Sequence, residues 1–100
     1  MRFVRLLKAI EETDDGRVQL YPNPVTNNKF TVQFNLSEGN YTVQVKDVLG
    51  QLVSRTKTNI KGEGQTENFQ LPALSGKGFY LVTIIDQNNK TVFTKKILVQ

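Results

Sequence analysis

One hundred residues, 38% of them hydrophobic and 22% charged, suffice for one globular domain and are too apolar for a disordered chain. The chain has no cysteine and no histidine, which excludes a disulfide framework, a thiolate or imidazole zinc site, and a Ser-His or Cys-His catalytic pair. The net charge of +4 is spread along the chain rather than gathered in one block, and it reads as a solvated surface, not a nucleic-acid stripe.

In chain order, Phe3, Leu6, Leu7 and Ile10 fit a helical stripe, and Glu11-Glu12-Thr13-Asp14-Asp15-Gly16 reads as an exposed acidic linker. Arg2, Arg5 and Lys8 accompany no uninterrupted apolar h-region, so this segment does not read as a signal peptide; were the protein exported, its signal would be expected upstream. Residues 1–16 are therefore expected to be a linker or the remnant of an upstream domain, and residues 17–100 a domain of their own. From Arg17 onward, apolar and polar residues alternate with period two. Phe30, Val32, Phe34 and Leu36 share one face, with Thr31, Gln33 and Asn35 on the other.

Seven strands are predicted, over residues 17–21, 29–36, 40–47, 51–57, 65–71, 79–86 and 91–99. Pro22-Asn23-Pro24, Ser37-Glu38-Gly39, Lys61 to Gly64 and Pro72 to Gly78 supply turns between them. Short strands without helices predict an all-β fold, a two-sheet antiparallel β-sandwich. The longest apolar stretch, Phe79 to Ile85, already contains Thr83 and is far too short for a membrane-spanning helix. It is apolar on both faces, as is the last strand. A second face of this kind needs a cover: the N-terminal stripe, a bulge that switches faces, or a partner.

The segment Gly39 to Asp47 is echoed by Gly78 to Asp86 at an offset of 39 residues, with Gly50 matching Asn89 and Val53 matching Val92. Asp at the first turn position caps the backbone, and Gly or Asn three residues later adopts the positive φ of a type I turn with a G1 bulge. Counting across that turn sets Val45 opposite Val53 and Ile84 opposite Val92. Tyr80, approached through Leu74-Ser75-Gly76-Lys77-Gly78, suits either a tyrosine corner or a plain core position.

Little here suggests chemistry. Asp14, Asp15, Glu38, Asp47, Glu63 and Asp86 fall in turns or the linker, where carboxylates are solvated caps rather than converging acid–base pairs. Asp14-Asp15-Gly16 lacks calcium-loop spacing, and Gly62-Glu63-Gly64 lacks the strand–helix context of a phosphate cradle. Asn35-Leu36-Ser37, Asn40-Tyr41-Thr42 and Asn89-Lys90-Thr91 match the N-glycosylation pattern, which arises often by chance in Asn- and Thr-rich strands. No enzyme, metal site or cofactor is expected.

Lined up, Leu20-Tyr21-Pro22-Asn23-Pro24, then Gly39-x-Tyr41-x-Val43-x-Val45-x-Asp47-x-x-Gly50-x-x-Val53, then Leu71-Pro72-x-Leu74 leading to Gly78-x-Tyr80-x-Val82, and last Lys96-Ile97-Leu98-Val99-Gln100 resemble the type A C-terminal sorting domain of type IX secretion (Por secretion) cargo. The resemblance covers residues 17–100 in the family's order. It implies an immunoglobulin-like antiparallel β-sandwich at the end of an exported protein of a Bacteroidetes-type bacterium, reaching the cell surface or medium through the periplasm. It also implies an outer-membrane translocon and a sortase-like protease as partners, with a covalently linked upstream cargo anchored to the surface or released. On this resemblance the terminal strand, Lys95, Lys96, Ile97, Leu98, Val99 and Gln100, carries recognition. Gly39, Tyr41, Asp47 and Gly50 shape the hairpin motif, Tyr21, Pro22, Asn23 and Pro24 open the domain, and cleavage falls in the linker around Glu11 to Arg17. The plain alternative makes the prolines strand ends, the glycines turns, and Ile97 and Val99 core.

Such a terminal strand at a sheet edge adds readily to a partner's sheet. A homodimer through apolar strand faces is a further expected partner; nucleic acid and membrane insertion are not expected. A non-catalytic carbohydrate-binding or adhesion module of the same architecture is the alternative function. It usually needs an exposed aromatic platform, whereas the chain has no Trp and Tyr21, Tyr41 and Tyr80 are expected in core or turns.

Overall fold

The computed structural model describes residues 16–73 and 75–100; the N-terminal stripe, the acidic residues 11–15 and Leu74 lie outside them. All seven expected strands form: β1 (Val18–Thr26), β2 (Lys29–Phe34), β3 (Gly39–Asp47), β4 (Leu52–Ile60), β5 (Gln65–Gln70), β6 (Gly78–Asp86) and β7 (Thr91–Val99). No helix occurs among the described residues. The strands make one seven-stranded sheet in the order β4-β3-β6-β7-β1-β2-β5.

The alternation decides which face is buried. In β2 the side chains of Phe30, Val32 and Phe34 are buried; in β3 and β6 the same holds for Tyr41, Val43 and Val45, and for Tyr80, Val82 and Ile84. Phe93, Ile97 and Val99 of β7 complete a single cluster with Val18, Val25 and Leu71. Phe34 of β2 meets Tyr41 of β3 at 6.2 Å between ring centroids, so β1-β2-β5 and β4-β3-β6-β7 close on one another around one core. Phe30 stacks on its cross-strand partner Phe69 at 5.5 Å, within the range of favourable aromatic pairs.

The 39-residue echo is structural. β3 and β6 pair antiparallel with Gln44 opposite Thr83, and these two residues occupy the same place in the two copies. The β3–β4 and β6–β7 hairpins are thus related by a local pseudo-two-fold axis through that pair, and each copy's Tyr faces the other's Asp: Tyr41 opposite Asp86, Tyr80 opposite Asp47. The symmetry reaches the strand ends. The N–H of Gln100 donates to the carbonyl of Val25 (2.9 Å), and the equivalent N–H of Lys61 donates to Gln65 Oε1 (2.8 Å). Gln65 Nε2 also donates to the carbonyl of Asn59 (3.0 Å), so one side-chain amide does at β4 what a strand does at β7.

Four expectations need correction. The sheet is not wholly antiparallel, because β1 meets β7 at a parallel bridge, Val25 opposite Val99. Pro22-Asn23-Pro24 is not a turn but the middle of β1; the turn lies at Asn27-Asn28, both at φ 57°, the conformation of a type I′ hairpin. Val45 faces Ser54 rather than Val53, and Ile84 faces Phe93 rather than Val92. A second bulge after each G1 turn extrudes the two valines from the ladder, though both still pack against the core. Finally, β7 is no edge strand; β4 and β5 are the edges.

Phe34→Ala, which empties a fully buried position, should cost about 3–5 kcal/mol in urea unfolding. Thr56→Ala on the exposed edge strand β4 should change stability by no more than about 0.5 kcal/mol. Equal midpoints for the two variants would refute this placement of the core.

Candidate functional site

The proline segment and the terminal strand, far apart in sequence, meet in the structure. Proline has no N–H to donate to a ladder. Accordingly β1 pairs with β2 from Val18 to Tyr21 and regains it only at Thr26. In the gap β1 turns to β7 instead: Asn23 Oδ1 accepts from the N–H of Leu98 (3.3 Å), and Val25 O accepts from the N–H of Gln100. The Tyr21–Pro22 and Asn23–Pro24 peptides are both cis.

The terminal residues divide by face. Ile97 and Val99 are core. Leu98 and Lys95 are half-buried, and Lys96 and Gln100 are exposed. Lys96 holds its Nζ 5.1 Å from the centre of the Phe79 ring, within cation–π range. The second face of β6 is not sealed by the described residues: Leu81 and Ile85 are half-buried and Phe79 is 47% exposed.

The hairpin motif splits between the two ends of the sheet. Asp47 lies in the row of Tyr80 and Ile97, so its turn shares an end with the terminal strand. Gly39 and Tyr41 lie at the other end, near Ile60 and Asp86. Asp47 Oδ1 accepts from the N–H groups of Leu49 and Gln51, both at 2.9 Å; Asp86 Oδ1 accepts from Asn88 and Lys90 at the same distances. Both carboxylates are turn caps. Gly50 at φ 85° and Asn89 at φ 64° hold the left-handed position.

Tyr80 forms the tyrosine corner: its hydroxyl donates to the carbonyls of Ser75 and Gly76, the latter at 2.8 Å. Tyr41 repeats the device with Ser37 O at 2.7 Å, four residues back as in the Tyr80–Gly76 bond, which the sequence reading missed although the echo contains it. Tyr21 departs from expectation, being 45% exposed. Tyr21 lies in β1 and Phe79 in β6, two strands separated by β7 in the sheet. Among the described residues no three carboxylates, histidines or cysteines gather to hold a metal.

The proline segment, the end of the terminal strand and the capped Asp47 turn thus share one end of the sheet. Comparison with known proteins bears on what such a domain does. Residues 19–100 match the family described as "Secretion system C-terminal sorting domain". The chain belongs to that family. The family carries the C-terminal sorting signal of type IX secretion and is generally non-catalytic; its domain marks a protein for export to the cell surface or beyond. Among solved structures, "Crystal structure of dimeric latent PorU from Porphyromonas gingivalis" is similar, at 26% identity and a TM-score of 0.64. The match covers 82% of this sorting-domain chain and 9% of the PorU chain. The curated proteins gave no match.

Gly50→Val should destabilise the sorting domain by about 1–3 kcal/mol, since a β-branched residue is strained at positive φ. Asn89→Gly should be neutral or stabilising in the same denaturant titration. A Gly50→Val midpoint equal to the parent's would refute the turn assignment.

Proposed function

We propose that residues 17–100 are a removable address that directs an upstream, covalently linked cargo through the periplasm and across the outer membrane by the type IX translocon. A sortase-like protease then cuts in the linker around Glu11 to Arg17, and the cargo is anchored to the surface or released. The observation that carries this reading is the clasp between Asn23–Val25 and Leu98–Gln100. It brings the family's opening and closing motifs to one end of the sheet and leaves Lys96 and Gln100 outward there.

The likeness to part of a PorU chain fits a domain borne on a much longer protein. Recognition falls to the outward residues of the terminal strand, with Ile97 and Val99 holding it in the core. Gly39, Tyr41, Asp47 and Gly50 act by fixing the hairpin, and Tyr21 to Pro24 by steering β1 onto β7. Self-association is the weaker part of the expectation, because the exposed apolar residues of β4 and β6 stand beside lysines.

The test is a reporter fused ahead of the domain in a type IX-competent host. Lys96→Ala with Gln100→Ala, two exposed changes that should leave the melting curve within about 0.5 kcal/mol of the parent, should retain reporter in the periplasm. Deletion of Lys95 to Gln100 should retain it fully. Parent-level surface display by both variants would show that the terminal strand is not the address.

A further inference from the structure

The outer face of β4-β3-β6-β7 carries, beside the terminal-strand residues Lys96 and Leu98, a patch on β3, β4 and β6 that the sorting role does not account for. Residues directly opposite on antiparallel strands share a face, so Leu52, Lys46, Leu81 and Lys96 form one row across all four strands. Phe79 and Leu98 form the next row. Leu49, at the tip of the β3–β4 hairpin, is 72% exposed, Leu52 54% and Phe79 47%. Apolar and basic side chains therefore alternate at one end of the face. Arg55 and Lys57 extend the cations along it, opposite Gln44 and Thr42. None of the outward positions on these four strands is acidic. Among the described residues, Asp47, next to Lys46 in the chain, is engaged by the amides of its own turn.

We propose that this face seats the domain on an anionic lipid bilayer surface, hairpin tip foremost, without spanning it. The stem of Lys46 lies along apolar neighbours while its ammonium group and the Arg55 and Lys57 cations reach outward to headgroup phosphates, and leucine and aromatic side chains enter the acyl boundary. Charge selects this occupant over a second copy, since self-pairing would set Lys46 and its neighbouring cations against their own equivalents. Leucines at a protruding tip suit a fluid surface that needs no preformed pocket.

The 100-residue chain is mixed with vesicles of phosphatidylcholine alone or with added phosphatidylglycerol, and sedimented. It should sediment with the anionic vesicles, weakly with the neutral ones, and be released as ionic strength rises. Leu49→Asp and Lys46→Glu should each reduce binding about tenfold. Lys29→Glu on β2, the same charge change away from the patch, should bind like the parent, with circular dichroism melts checking all three variants. Absence of sedimentation with anionic vesicles would overturn the proposal. So would parent-like binding by Leu49→Asp, an equal loss with Lys29→Glu, or capture by soluble polyglutamate instead of vesicles.

Discussion

Two prolines separated by one residue cannot donate to a β-ladder, and the sheet is arranged around that gap. Without it β1 would run on beside β2, and β7 would present its outer side to solvent. With it, the strand leaves β2 after Tyr21, offers Asn23 Oδ1 and Val25 O to the amides of Leu98 and Gln100, and returns to β2 at Thr26. One strand thus serves both parts of the sheet, which lets a single core form between Phe34 on one side and Tyr41 on the other. The two bonds tie the chain's last residues to β1.

Around this crossing the local two-fold economises on design. The same tyrosine, aspartate and left-handed turn residue build both hairpins, down to matched bond lengths at Asp47 and Asp86. What differs between the copies follows from their neighbours. β7 lies between β6 and β1 and is apolar; β4, its counterpart, lies at the edge and is largely polar. β6 is equally central, and its outward Phe79 and Leu81 remain partly in view.

Strand periodicity made the fold legible, because Phe30, Val32 and Phe34 or Tyr80, Val82 and Ile84 alternate cleanly. The hairpin turns were equally legible from Asp47, Gly50, Asp86 and Asn89. Turn chemistry could not reveal the extra bulge residue that displaces Val53 and Val92, since bulges answer to packing across the sheet. The proline segment misled for a sound reason: prolines seldom sit inside a strand, except where it changes partners. Asn27-Asn28 held a readable signal, two adjacent residues tolerant of positive φ, that the more prominent prolines obscured. For the site, each motif was visible, but the meeting of Asn23 with Leu98 is a tertiary event that spacing does not encode.

The amide of Gln65 has a consequence for how the molecule behaves in a crowd. An unprotected edge invites strands from other copies and, repeated, yields fibrils. At the end of β4 the backbone groups of Asn59 and Lys61 are already occupied by that one side chain, and Arg55 and Lys57 stud the strand leading to them. A second copy approaching there must displace a paired amide and bring cation against cation. This end of the β4 edge is therefore guarded against pairing with another copy.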